Sequence, residues 1–168
     1  MQNKNIVMGI AIAAVIGGLL WLGRPTSTDK ELGNAGAGAG NSGSLAAEES
    51  TFDFGAVSMA SGNVSHLFRI KNSGSSAIAV TKLYTSCMCT TATLINGNER
   101  NGPFGMPGHG FIPRIQESIG PGQEADIEVV FDPTAHGPAG IGRIERIVYV
   151  EQKYGETLEL QIGATVTP

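Results

Sequence analysis

The chain has 168 residues, of which 41% are apolar and 15% charged, with 24 glycines and a formal net charge of -4. That balance supplies one packed core and excludes a coiled coil or a highly charged disordered chain. No basic cluster occurs anywhere along the sequence, so a nucleic-acid surface is not expected.

Residues 6–23 read IVMGIAIAAVIGGLLWLG, 18 residues without a charge or a proline, between Lys4 and Arg24. This is the length of a short membrane span, and it is expected to act as an N-terminal transmembrane anchor. A cleaved secretory signal is the rival, but the small-residue sites that would end it, in NAGAGAG, stand a dozen residues beyond the run. A five-residue tail before the span leaves nearly all the chain on the far side. The remainder is therefore expected to be extracytoplasmic, in a periplasm or at a cell surface. Residues 24–49 are dominated by Gly, Ala, Ser and Thr and read as a flexible linker. As a random coil this tether would span about 30 Å.

From residue 50 the pattern changes to apolar residues two apart, separated by glycine, proline and asparagine turns, which predicts β-strands. TFDFG places Phe52 and Phe54 on one face, and VSHLFRIK aligns Val64, His66, Phe68 and Ile70 before the turn at Asn72 to Gly74. Ile78 and Val80 share a face; a change of phase near Lys82 then aligns Leu83, Thr85 and Cys87 and predicts a bulge. Thr90 to Ile95 reads as a further strand. EADIEVVFDP carries the clearest alternation, with Ala125, Ile127, Val129 and Phe131 inward. Ile144 to Val150 and Leu158 to Val166 supply the last two strands, and no 12-residue stretch beyond the anchor has helical periodicity. About seven strands within residues 50–168 fit an antiparallel two-sheet sandwich. The segment 96–120 is rich in Gly and Pro and reads as a long loop, either a disordered excursion or a cover over one end.

The order FDFG, HLFRIKNSG, TSCMCT, PGQEADIEVVFDP and LQIGATV resembles the bacterial family called domain of unknown function 1573. The resemblance implies an immunoglobulin-like sandwich, similar to Hydin-type and major-sperm-protein modules, held behind a signal or lipid attachment. Its most specific piece is the cysteine doublet, in which Met88 occupies the place usually taken by glycine in that family.

Cys87 and Cys89 are the one constellation with evident chemistry. In an extended strand they would share a face about 6.6–6.8 Å apart, the outer limit for a disulfide, which would need a kinked backbone. Three readings stand together: thiols that pack or cap the strand end, a redox pair, and a soft-metal site. For the last, two thiolates suit Cu(I), with Met106 and His109 on the long loop as further metal ligands. Zinc would require two more ligands. His66 reads as a hydrogen-bonded core histidine, and His136 falls in a turn with no visible partner. Asp53 and Asp132 each follow a phenylalanine and read as turn formers.

The chain contains no G-x-S-x-G, no H-E-x-x-H and no phosphate-binding glycine loop, so an enzyme is not expected. The sequence reading is a membrane-anchored immunoglobulin-like module that binds or scaffolds an unknown protein or other envelope partner. Its alternative is a Cu(I)-binding or thiol-redox protein acting through Cys87 and Cys89.

Overall fold

A computed structural model describes residues 44–168. The anchor expected at 6–23 and most of the 24–49 linker lie outside the described residues. Among those described, no helix is long and apolar enough to cross a membrane.

Ten strands form the described fold: β1 (Leu45–Ala47), β2 (Thr51–Ser58), β3 (Val64–Asn72), β4 (Ile78–Thr85), β5 (Thr90–Asn96), β6 (Glu99–Phe104), β7 (Glu117–Ile119), β8 (Glu124–Phe131), β9 (Gly142–Gln152) and β10 (Leu158–Thr167). They make two five-stranded sheets, ordered β1-β3-β8-β5-β6 and β2-β10-β9-β4-β7. The all-β sandwich expected from the two-residue periodicity is therefore present, with three short strands more than the sequence indicated.

The core is built by the predicted inward rows. Phe68, Ile70, Leu94, Ile127, Val129 and Phe131 of one sheet are buried, as are Val80, Leu83, Val148, Val150, Leu160 and Ile162 of the other. Each such side chain contributes about 1.5–3 kcal/mol by leaving water. The change of phase in β4 is a register shift between Val80 and Lys82 against β9. It lets Ile78, Val80, Leu83 and Thr85 all face inward although their spacing is not uniform.

Three differences from the sequence reading have local causes. First, the sandwich begins at Leu45, inside the stretch read as linker: β1 pairs with β3, and Leu45 is buried. A three-residue strand has too few positions to show a period. Second, the sheets are not wholly antiparallel, because β2 runs parallel to β10. The chain changes sheets between β1 and β2, and Gly55, at φ +69°, stands opposite a register shift between Gly163 and Thr165. Asp53 accordingly lies within β2, where it accepts the Gly55 N–H at 2.7 Å, and only Asp132 makes the expected turn, accepting from Thr134 N–H at 2.8 Å.

Third, segment 96–120 is neither a plain loop nor an excursion. A two-residue hairpin turn with Gly97 at φ +59° starts β6, which adds to one sheet edge beside β5, and β7 adds to the other sheet beside β4. Between them the chain is held to β4, with Thr85 N–H donating to Gly105 O at 3.1 Å and Ile115 N–H to Thr81 O at 2.9 Å. The insertion thus runs from the edge of one sheet to the edge of the other.

Asn72 fixes the turn that follows β3. It is fully buried, donating to Ser76 O and Ile119 O at 2.8 Å each, while its Oδ1 accepts Gly74 N–H at 2.9 Å. His66 is hydrogen-bonded as expected but half-buried at the margin of the core: its ring stacks on Phe52 at 3.6 Å between centroids, and Nε2 lies 2.6 Å from Glu49 Oε1.

Candidate functional site: a thiol corner between the sheets

The connection from β4 to β5 crosses from one sheet to the other, and residues 86–89 have to make that crossing in a tight turn. Thr90 N–H donates to Cys87 O at 3.2 Å, and the buried Thr85 hydroxyl lies 2.9 Å from both Cys87 O and Thr90 O. The cysteines are therefore not in an extended strand, as the sequence reading had them. The turn supplies the backbone kink that an extended Cys-Met-Cys would lack, and the two Sγ atoms stand 2.8 Å apart as free thiols.

Two other segments are pulled onto this turn by backbone bonds. At the end of β8, Asp132 N–H donates to Cys89 O at 2.8 Å, and Gly137 N–H donates to Thr134 O at 2.8 Å, curling the chain back. His136 is delivered by that curl with Nε2 3.1 Å from Cys87 Sγ. Ser86 N–H donates to Ile147 O at 2.8 Å, and Ile147 N–H donates to Ser86 Oγ at 2.9 Å, tying β9 to the turn. Arg146 precedes Ile147 on the inward row of β9, and its Nε donates to Cys89 Sγ at 3.2 Å.

The two thiols differ in access and acidity. Cys89 is buried, Cys87 half-buried and His136 exposed, so the corner opens on the His136 side. Burial alone would raise the Cys87 thiol. The Cys89 thiol and N–H, His136 and the Arg146 charge together outweigh burial and hold Cys87 down at about 7. Burial is the first cause that raises the Cys89 thiol, with the hydrogen bond to Cys87 adding to it against the opposing pull of Arg146 and Thr90. Chemically, the corner offers one readily ionised sulfur, a second sulfur behind it, an imidazole and a fixed cation.

Cys87 Sγ, Cys89 Sγ and His136 Nε2 all lie within 4.8 Å of one another, and among the described residues no other His, Cys, Asp or Glu joins them. His136, which the sequence reading left without a partner, is thus the histidine that meets the thiols. His109, named instead, is exposed and outside this group; Met106 is half-buried next to Gly105. Arg146 was also missed, although it carries a readable signal: it occupies an inward position between Ile144 and Val148, where an apolar residue belongs. No signal in the sequence joins His136 to a cysteine 49 positions away.

The fold and corner define an immunoglobulin-like β-sandwich with a cysteine pair at a sheet-to-sheet crossing. The model of the family described as protein of unknown function (DUF1573) matches residues 45–101, which hold β1 to β5 and the thiol turn, and over that segment the resemblance seen in the sequence is borne out. Among solved structures, a protein of unknown function from Porphyromonas gingivalis W83 is similar, at 14% identity and a TM-score of 0.55, over 77% of this chain and 49% of that one. This chain therefore spans about half the length of that structure. The ASH/PapD-like domain 7 of human CEP192 matches at 13% identity and a TM-score of 0.46, over 78% of this chain and 90% of that one. The VesB protease of Vibrio cholerae matches at 15% identity and a TM-score of 0.49, over 74% and 32%. No curated protein matches the chain.

Proposed function

We propose that the protein is a membrane-tethered, extracytoplasmic immunoglobulin-like binding module that takes its ligand or envelope partner at the corner formed by Cys87, Cys89, His136 and Arg146. The observation that carries this reading is the convergence at that corner of side chains from three separate segments, open to solvent on one side. The tether is supported by residues 6–23, an 18-residue run without a charge or a proline, the length of a short membrane span. With no basic cluster in the chain, the partner is not a nucleic acid.

The test is carried out on the full chain in a bacterial host. Deleting residues 6–23 is expected to move the protein from the membrane to the soluble fraction. A membrane-impermeant maleimide applied to reduced spheroplasts is expected to label Cys87. Labelling that requires lysis of the cells, or a deletion variant that stays with the membrane, would overturn the reading.

A further inference from the structure

We propose that the ligand of this corner is a single Cu(I) ion, held by Cys87 Sγ, Cys89 Sγ and His136 Nε2 and balanced in charge by Arg146. This rests on the reading of the corner as the ligand end of the module.

Ligand type comes first. Two thiolates with one imidazole form a soft set, which favours Cu(I), Zn(II) or an iron-sulfur centre over the oxygen-seeking cations. An iron-sulfur cluster takes four protein ligands, cysteines or two cysteines with two histidines, and the described residues bring three to this corner.

Geometry is the second consideration. Metal bonds of about 2.0–2.3 Å to nitrogen and sulfur, spread in a plane, set three ligand atoms about 3.5–4 Å apart. Two of the separations in the corner are shorter than that, 2.8 Å between the sulfurs and 3.1 Å from Cys87 Sγ to His136 Nε2, and all three lie within 4.8 Å. Side-chain rotation on a turn whose backbone is already tied down supplies the difference. Cys87 and His136 carry most of it, because they stand on the open side.

Charge then separates the two remaining ions. Two thiolates and a monovalent copper leave one negative charge, which the Arg146 guanidinium 3.2 Å from Cys89 Sγ neutralises. A divalent zinc would cancel both thiolates by itself and leave the guanidinium as an uncompensated cation beside it, in a place where Cys89 is buried. Coordination number excludes only a structural zinc, which takes four protein ligands where the described residues bring three to this point; against a zinc completed by a water, the charge balance decides. Binding involves no change of oxidation state: each thiol gives its proton to solvent, and the sulfur lone pairs occupy the metal.

The experiment uses the full chain in detergent, reduced and anaerobic, titrated with Cu(I) against a competing Cu(I) chelator. One copper per chain is expected. Cys87→Ser and His136→Ala should each weaken retention by about tenfold or more, while His109→Ala leaves it unchanged, and zinc in about hundredfold excess should not displace the copper. Arg146→Gln should narrow the margin of Cu(I) over zinc by about tenfold. Because His136 is exposed, His136→Ala is expected to keep the parent circular dichroism spectrum, so its effect reads the site and not the fold. Equal copper retention by His136→Ala, or ready displacement by zinc, would overturn the proposal. Failure of the parent chain to bind copper while Cys87 is still labelled from outside the membrane would defeat the copper assignment and leave the tethered module standing.

Discussion

Two strands of the sandwich make an instructive comparison. On β8 the inward row is Ala125, Ile127, Val129 and Phe131, every member apolar and buried. On β9 the corresponding row is Ile144, Arg146, Val148 and Val150, equally regular except that a guanidinium takes one place. A charge in such a row costs stability unless it is paired, and Arg146 is paired with the Cys89 sulfur. Both strands reach the thiol turn, and the one that breaks the apolar pattern is the one whose inward side chain meets a thiol. Departure from pattern next to a reactive group is what a site imposed on a scaffold looks like.

The comparison can be broken at its scaffold end most forcefully. Phe131→Ala removes a 2% exposed ring from the β8 row and should cost about 3–5 kcal/mol, enough to leave a typical domain poorly folded. A chemical denaturation midpoint equal to that of the parent would show the row to be unimportant. Asn72→Ala should have a smaller effect, about 1–3 kcal/mol. It strands the carbonyls of Ser76 and Ile119 without their donor. The same denaturation series measures it.

At the site end the expected effects are on reactivity. In the metal-free, reduced protein the Cys87 thiolate is half-formed at about pH 7, so its alkylation rate should climb through that pH and level off above it. An ordinary thiol would make the same climb near pH 8.5. Arg146→Gln and His136→Ala each remove a group that lowers Cys87 and should move the midpoint upward. An unmoved midpoint in both variants would separate these residues from the thiols. The smallest effect is expected at His109→Ala, which should leave the alkylation profile where it was.

Much of the scaffold was readable because its long strands are buried on one face and exposed on the other. Ala125 to Phe131 and Leu160 to Val166 alternate for that reason, and even the bulge after Val80 shows as a slip of phase. The edge strands were hidden by the same physics. ERNGPF in β6 lies at a sheet margin with little to bury, so it has no apolar row, although the Gly97-Asn98 pair before it is a hairpin signal. β1 and β7 are three residues long. In the corner, the cysteines were visible as a pair but not as a turn, because the crossing between sheets is a tertiary event. His136 reaches Cys87 through the curl after β8, a contact with no local trace, whereas His109 and Met106 were suggested by their ligand chemistry and their place on the long loop.

The claim that Cys87, Cys89 and His136 act as one site is tested most directly by X-ray absorption at the copper edge on the full chain loaded with one equivalent of Cu(I). The account predicts two sulfur neighbours and one nitrogen, with the outer-shell scattering of an imidazole that disappears in His136→Ala and persists in His109→Ala. An all-sulfur shell, or imidazole scattering that survives His136→Ala, would contradict it.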